Sequence, residues 1–337
     1  MTLDLVSLIN SSDKKEDGPS INLPPAIPDY SDSYPDCFFK FISRGRKIPP
    51  MKPDSYIRVS SIGNLCPRRE TIRAKHKIDD YFNIDGSIGF AMMLGEAIHE
   101  KYRFNMGVNG RYVGSWKCVK CGSTTDDDLS SESVMKLPDD RGDKSRRDLE
   151  IKMMPLKCDS CKSGHIVQDK ESFLDGRGKG KLDKSLGGYP SIIFNEWSLY
   201  NDEFKIRGHW DGARLDSGDV IVQEIKSCSG SFFKKVSKIG GYDPHITQLL
   251  TEMWLLGLKK GELTYINKSG WGDPRSYIKR FPFDLTMSYM ERNVFKPVME
   301  LRRCLADEVV SDYGVCSNSM DEKSKDCIVR NFCFSDR

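Results

Sequence analysis

Apolar positions recur along this chain in two alternating rhythms, and each change of rhythm marks a change of element. Phe90, Leu94, Ala97 and Ile98 fall at helical spacing and predict a helix from about Ser87 to Phe104, preceded by a shorter one from about Arg68 to Lys75. Ile192 to Tyr200, Phe204 to Leu215 and Val220 to Ser227 then read as strands. The turns Asn201-Asp-Glu and Asp216-Ser-Gly-Asp join them into an expected antiparallel meander. The helical period returns from His245 to Leu258, where Ile246, Leu249, Leu250, Met253 and Leu256 mark the apolar side. Leu263 to Asn267 predicts a further strand. Met290, Val294, Val298, Leu301 and Leu305 predict a closing helix over Leu285 to Val310, kinked at Pro297, before a cysteine-bearing tail.

Composition divides the chain further. Residues 1 to about 50 are rich in Pro, Ser and Asp around Asn22-Leu-Pro-Pro-Ala-Ile-Pro28 and predict an extended arm, docked locally by Cys37-Phe-Phe-Lys-Phe. From Trp116 to about His165, two Cys-x-x-Cys pairs flank a polar stretch, Thr124 to Glu150. The expected organisation is an arm (1–50), an α/β core (51–114 and 169–337) and an insertion (115–168) with its own organiser; no internal repeat is present. With 337 residues, 38% hydrophobic and 30% charged, the core needs no disulfide staples, and no apolar run approaches the ~20 residues of a membrane-spanning helix. Met1-Thr-Leu-Asp-Leu lacks the features of a secretory signal, so an intracellular, cytoplasmic setting is expected. The 52 basic residues nearly balance the 49 acidic ones, for a net charge of +3. Attraction to phosphate must therefore come from local patches: Arg44 to Lys52, Arg177 to Lys184 and Lys234 to Lys238, each of which reads equally well as a solvated loop or helix face.

The second predicted turn has chemical consequences. If it centres on Ser217-Gly218, antiparallel pairing sets Leu215 opposite Val220, Ala213 opposite Val222, Asp211 opposite Glu224 and His209 opposite Lys226, all on one face. Two opposed carboxylates destabilise a sheet unless a cation lies between them, and oxygen ligands of this kind suit Mg²⁺ or Mn²⁺. Such an ion polarises a phosphodiester and activates water, while Lys226 positions that water or stabilises developing negative charge. The bland alternative is a solvated strand edge at Glu224-Ile-Lys226 and a turn residue at Asp211.

Four segments occur in order: Gly95-Glu-Ala-Ile-His99, Gly208-His-Trp-Asp211-Gly, Gln223-Glu224-Ile-Lys226-Ser and Gln248-Leu-Leu-Thr-Glu252. With the hairpin between them, the chain resembles the PD-(D/E)xK nuclease superfamily in its RecB-like branch. The resemblance implies a restriction-endonuclease-like core with a mixed β-sheet flanked by helices. It implies that His99, Asp211, Glu224 and the carbonyl of Ile225 hold the metal, that Lys226 is catalytic, and that Gln248 supports the site from its helix. One departure is Glu252, where the family usually has a tyrosine that often touches substrate. Glu196 and Glu96 read as accessory acids or as ordinary surface residues.

Eleven cysteines in such a chain point to metal rather than disulfides. Cys118-Val-Lys-Cys121 and Cys158-Asp-Ser-Cys161 have the spacing of a tetrahedral structural zinc site, each pair on a tight knuckle. Cys66 upstream and Cys316, Cys327 and Cys333 downstream form a second set. It resembles the iron–sulfur nucleases related to the CRISPR-associated RecB-like exonucleases and the AddB nuclease domain, which implies a [4Fe-4S] cluster. Ten residues separate Cys316 from Cys327, where those families have two. Zinc at these thiolates, unrelated buried cysteines, or Cys304 in place of Cys316 are the alternatives. Cys37 and Cys228 have no partner at ligand spacing and read as structural.

The expectation is thus a Mg²⁺- or Mn²⁺-dependent deoxyribonuclease acting in recombination, repair or phage replication, with the exonuclease mode implied by resemblance. The alternatives are a structure-specific endonuclease, a non-cleaving DNA- or protein-binding module, and a redox-sensing iron–sulfur protein. The sequence contains no phosphate-cradling Gly-x-x-x-x-Gly-Lys-Ser/Thr loop. DNA with a free end or a single-stranded region is the expected partner, opened where necessary by a separate helicase or recombination protein.

Overall fold

The structure, a computed structural model, describes residues 44–84, 86–125, 132–137, 150–155, 157–162, 192–270, 274–316 and 321–335. Most of the expected arm, Cys37, the basic stretch Arg177 to Lys184 and most of Thr124 to Glu150 lie outside the described residues. Strand β1 (Arg44–Ile48), the short β2 (Ile57–Arg58) and helix α1 (Pro67–His76) precede β3 (Asp80–Ile84), which pairs antiparallel with β1. Helix α2 (Gly86–Val108) leads to β4 (Tyr112–Gly114), β5 (Trp116–Cys118), β6 (Ser133–Lys136) and β7 (Glu150–Met153). Next come β8 (Ile192–Phe194), β9 (Ser198–Asn201), β10 (Ile206–His209), β11 (Ala213–Asp216) and β12 (Asp219–Cys228). Helices α3 (Gly230–Ile239) and α4 (Asp243–Leu256) carry the chain to β13 (Lys260–Asn267) and β14 (Ile278–Asp284), followed by α5 (Lys296–Ala306) and α6 (Arg330–Ser335).

Among the described residues, seven strands form the main sheet in the order β14-β13-β12-β11-β4-β7-β6. β12 and β13 run parallel, and the other pairs are antiparallel. A parallel pair needs a crossover, and α3 and α4 supply it. The result is a mixed α/β fold. Val222 shares one buried cluster with Leu249 of α4 and Ile225 shares another with Tyr102 of α2, and both helices contact β12, so the middle of the strand is buried on both faces. Leu249, Met253 and Leu256 of α4 are fully buried against this sheet. Truncating one of them to alanine costs about 2–5 kcal/mol.

The predicted hairpin holds in its lower half. Ala213 pairs with Val222 and Leu215 with Val220, around a turn in which Ser217 (φ 51°) and Gly218 (φ 89°) both take the left-handed conformation. The upper half is corrected. The expected strand Phe204 to Leu215 breaks into β10 and β11, which belong to different sheets. Gly212 sits at the break with φ 124°, and a Cβ there would lie 2.6 Å from the Tyr112 ring. His209 therefore pairs with Ser198 of β9 and not with Lys226. The expected meander is dispersed in the same way: β8 pairs with β5, β9 with β10, and β11 with β12.

Two helices also differ from expectation. Phe90 and Leu94, placed on an apolar face by their spacing, are 49% and 40% exposed, while the buried positions of α2 include Gly95, Tyr102, Arg103 and Val108. The closing helix is interrupted over Glu291–Phe295 by a π-helical turn just before Pro297, whose missing N–H cannot continue the α-helical ladder, and it ends at Ala306. Among the described residues no helix is long and apolar enough to cross a membrane.

Candidate active site

The break at Gly212 changes what Asp211 does. Its backbone leaves the ladder, and its carboxylate takes over, accepting the Ile225 N–H through Oδ2 at 3.1 Å. The Tyr112 hydroxyl donates to the Asp211 carbonyl at 2.7 Å and fixes the kink. Asp211 thus still arrives beside Glu224, by a side-chain contact in place of a backbone pair.

Glu224 and Lys226 share the face of β12 that α4 covers, and they begin a chain of polar contacts. Lys226 Nζ lies 2.5 Å from Glu224 Oε1 and donates to Gln248 Oε1 at 3.0 Å. Gln248 Nε2 donates in turn to Glu252 Oε1 at 3.1 Å. Gln248 and Glu252 are one helical turn apart, so both point at β12. Burial pushes the Glu224 carboxyl up from 4.5 to about 7, with Asp211 adding to the rise and Lys226 opposing it. Burial works against the Lys226 ammonium, but the Glu224 carboxylate outweighs it and the pKa is raised. Lys226 therefore stays cationic.

His99 reaches the group from α2, which approaches closely because residue 95 is glycine: a Cβ there would lie 2.9 Å from Ser227 Oγ. Burial lowers the imidazole from 6.5 to about 4, outweighing the attraction of Asp211, with Arg103, Lys226 and Lys268 lowering it further. The ring is neutral at physiological pH, the form in which histidine binds metal. Arg103, one turn after His99, ion-pairs with Asp211 Oδ1 and donates to Glu196 Oε1 at 3.0 Å. Arg103 carries no motif in the sequence, and its i, i+4 relation to His99 is the one signal that points to it. Glu196 is tied into the group only through Arg103, and Glu96 is an exposed lining residue of the neighbouring cavity.

The buried atoms left without partners test whether these residues fit a cation. His99 Nε2 and Glu224 Oε2 are both buried and unpartnered, as is Glu252 Oε2. A neutral imidazole nitrogen and carboxylate oxygens are the donor types a divalent cation takes, so the residues fit one in chemistry, while as they stand no three of them bring ligand atoms within 4.8 Å of one another. Two cavities flank the group. One, of about 1070 Å³, is lined by His99, Lys226, Lys101, Lys268, Phe104 and Phe194; the other, of about 800 Å³, is lined by Arg58, Arg207, His209, Tyr56, Gln248 and Glu252.

The two cysteine sets differ in geometry. Cys118 and Cys161 lie 3.7 Å apart at sulfur, and Cys121 and Cys158 lie 3.5 Å apart. Tetrahedral ligands at ~2.3 Å from one ion would be ~3.8 Å apart. Each pair sits on a knuckle in which the residue after the second cysteine, Gly122 (φ 79°) or Lys162 (φ 59°), turns left-handed and donates its N–H to the carbonyl of the first. Among the described residues these four alone bring their ligand atoms within 4.8 Å of one another. Cys66, Cys316, Cys327 and Cys333 are brought together more loosely: Cys316 and Cys327 each interact electrostatically with Cys66 and Cys333. Arg68 ties the tail to α1, donating to Cys333 Sγ at 3.3 Å and to the Cys333 carbonyl at 3.2 Å. Cys304 is buried on α5 against Glu300.

The basic stretch Lys234 to Lys238 lies on the solvent side of α3, with Lys234, Lys235 and Lys238 all exposed. No protein-family model matches this chain, and no curated protein matches it. Among solved structures, an alkaline exonuclease, LHK-Exo from Laribacter hongkongensis, is similar over 34% of this chain at 16% identity, with a TM-score of 0.28. The structure of LHK-Exo in complex with dAMP is similar over 31% at 16% identity, with a TM-score of 0.26. This chain spans 59% and 51% of those two chains. The structure of SSO0001 is similar over 74% of this chain and 78% of its own at 15% identity, with a TM-score of 0.32.

Proposed function

We propose that this chain is a divalent-metal-dependent nuclease that hydrolyses phosphodiester bonds in DNA, with Asp211, Glu224, Lys226 and Gln248 as its catalytic group. The observation that carries this reading is that His99 and Glu224, from separate elements, each keep a buried donor atom without a protein partner, beside an Asp211 whose carboxylate is held by Arg103 and the Ile225 N–H. His99, Asp211, Glu224 and the Ile225 carbonyl would hold Mg²⁺ or Mn²⁺. Such an ion, when bound, polarises the scissile phosphate and makes water a stronger acid.

The chain's own residues supply the rest. Lys226, held between Glu224 and Gln248, keeps its charge and presents an ammonium where negative charge grows on the phosphate. Arg103 sets Asp211 from behind while Glu196 fixes the other arm of the guanidinium. Cationic and aromatic side chains in both cavities suit a nucleic-acid strand, whose phosphates pair with Lys and Arg and whose bases stack on rings. Exonuclease action at a DNA end, in recombination, repair or phage replication, is the mode we favour, with a separate helicase opening duplex substrate.

We further propose structural zinc at Cys118, Cys121, Cys158 and Cys161, because their sulfur spacing fits one tetrahedral ion. A [4Fe-4S] cluster is proposed at Cys66, Cys316, Cys327 and Cys333, a looser set that suits a cofactor larger than one ion. A time course on end-labelled linear and on circular DNA, with Mg²⁺ or Mn²⁺, tests the activity. Products from linear DNA alone establish an exonuclease, nicked or linearised circles an endonuclease, and binding with no product in either metal rejects cleavage.

A further inference from the structure

The cavity on the His99 side of the active site carries a lysine for which the two-carboxylate scheme has no task. Lys268 directly follows β13, and its backbone N–H donates to the Cys228 carbonyl at 2.9 Å, so it stands at the end of the parallel pair that bears Glu224 and Lys226. Its side chain reaches α2 and donates from Nζ to the Ala91 carbonyl at 2.7 Å. A Cβ on Gly95 would lie 3.8 Å from that ammonium, and His99 follows Gly95 by one helical turn. Lys268, Lys226 and His99 line the same cavity of about 1070 Å³.

The acceptor that Lys268 holds is a weak match for its charge. Ala91 lies inside α2, where the helical ladder already offers its carbonyl an N–H donor, and a carbonyl carries no net charge. Among the described residues no carboxylate forms an ion pair with Lys268; Glu196, on the same cavity wall, is taken by Arg103, and Glu96 and Glu100 are exposed. Lys226 differs, because Glu224 and Gln248 both hold its ammonium. A half-buried ammonium resting on a neutral acceptor gains when an anion enters, since a phosphate oxygen adds Coulomb attraction that a carbonyl lacks.

We propose that Lys268 is a phosphate-binding residue for the substrate strand, releasing the Ala91 carbonyl to take a phosphate other than the one served by Lys226. This rests on the reading of the Asp211–Glu224 group as a nuclease centre acting on DNA. The strand would then be held by one cation fixed in place and by a second that changes partner on binding.

The test is binding of a fluorescein-labelled oligothymidylate to the full-length protein without added Mg²⁺ or Mn²⁺, followed by fluorescence anisotropy over a range of KCl concentrations, with thermal unfolding to verify folding. Wild type is compared with Lys268→Gln, which keeps a donor for the Ala91 carbonyl but not the charge, and with Lys268→Arg, which keeps the charge. We expect Lys268→Gln to flatten the slope of log affinity against log salt by about 0.7, the loss of one phosphate contact on a single strand, and Lys268→Arg to keep the wild-type slope. A wild-type slope in Lys268→Gln overturns the inference, as does an equal loss in both variants, which would mark Lys268 as a strut between β13 and α2. Should Lys268→Gln fail to fold, Lys268→Met, uncharged and of similar length, gives the same comparison. Cleavage of the same strand by wild type in Mn²⁺ is measured alongside: a flattened slope in Lys268→Gln without wild-type cleavage overturns the nuclease reading and leaves the phosphate contact standing, whereas cleavage with an unaltered slope does the reverse.

Discussion

Asp211 and Glu224 reach the same place under opposite constraints, one gripped by Arg103 and the other by Lys226. We expect Asp211→Ala or Glu224→Ala to lower cleavage at least about a hundredfold, measured as initial rate on labelled DNA. The pH response follows from the directions of two shifts. The Glu224 carboxyl, raised to about 7, is protonated below that value, so cation binding must displace a proton. Mn²⁺ affinity should therefore climb as pH rises toward 7 and level off above it. Titration calorimetry at pH 6 in two buffers of different ionisation enthalpy should show proton release, and identical heats would reject the assignment. For stability the signs oppose. Glu224 contributes a term present in full below about 4.5 and lost as pH rises through about 7, whereas His99 contributes one present above about 6.5 and lost as pH falls through about 4.

Arg103 is the residue through which helix α2 and the broken hairpin hold one another. Removing it leaves Asp211 without its cation, and Arg103→Ala should cost about 3–5 kcal/mol in urea unfolding, with Arg103→Lys recovering part of it. Its absence from the sequence reading shows where legibility stopped. The turn at Ser217-Gly218, the lower register of β11 and β12, and α4 with Gln248 on its buried side were readable, because apolar period and turn chemistry fix local geometry. What could not be read was which sheet each strand would join. Alternation says that a segment is a strand, but Gly212 as a break point, and the division of β8 to β12 among three sheets, depend on partners distant in sequence. The apolar spacing of α2 marked a face without saying that Phe90 and Leu94 on it would stay exposed.

At the scale of the whole molecule, the two cysteine sets occupy different structural positions. The tail set lies where the C-terminal segment folds back on α1, with the Ser311 N–H meeting Thr71 Oγ1 at 3.0 Å and Arg68 meeting Cys333. Replacing Cys327 by serine should loosen this attachment and speed proteolysis of the tail, while a cleavage rate equal to wild type would argue against a cofactor there. The other set is continuous with the interior. Cys118 and Cys158 pack in one cluster with Trp116, Tyr112, Tyr102 and Ile225, joining the knuckles to helix α2 and to the strand that bears Glu224. A chelator that strips this site should therefore depress DNA cleavage even with Mn²⁺ restored, and added zinc should bring activity back. The knuckles would then act as a licence for the proposed nuclease: a cell short of one metal would hold, intact but idle, a protein whose proposed activity runs on another.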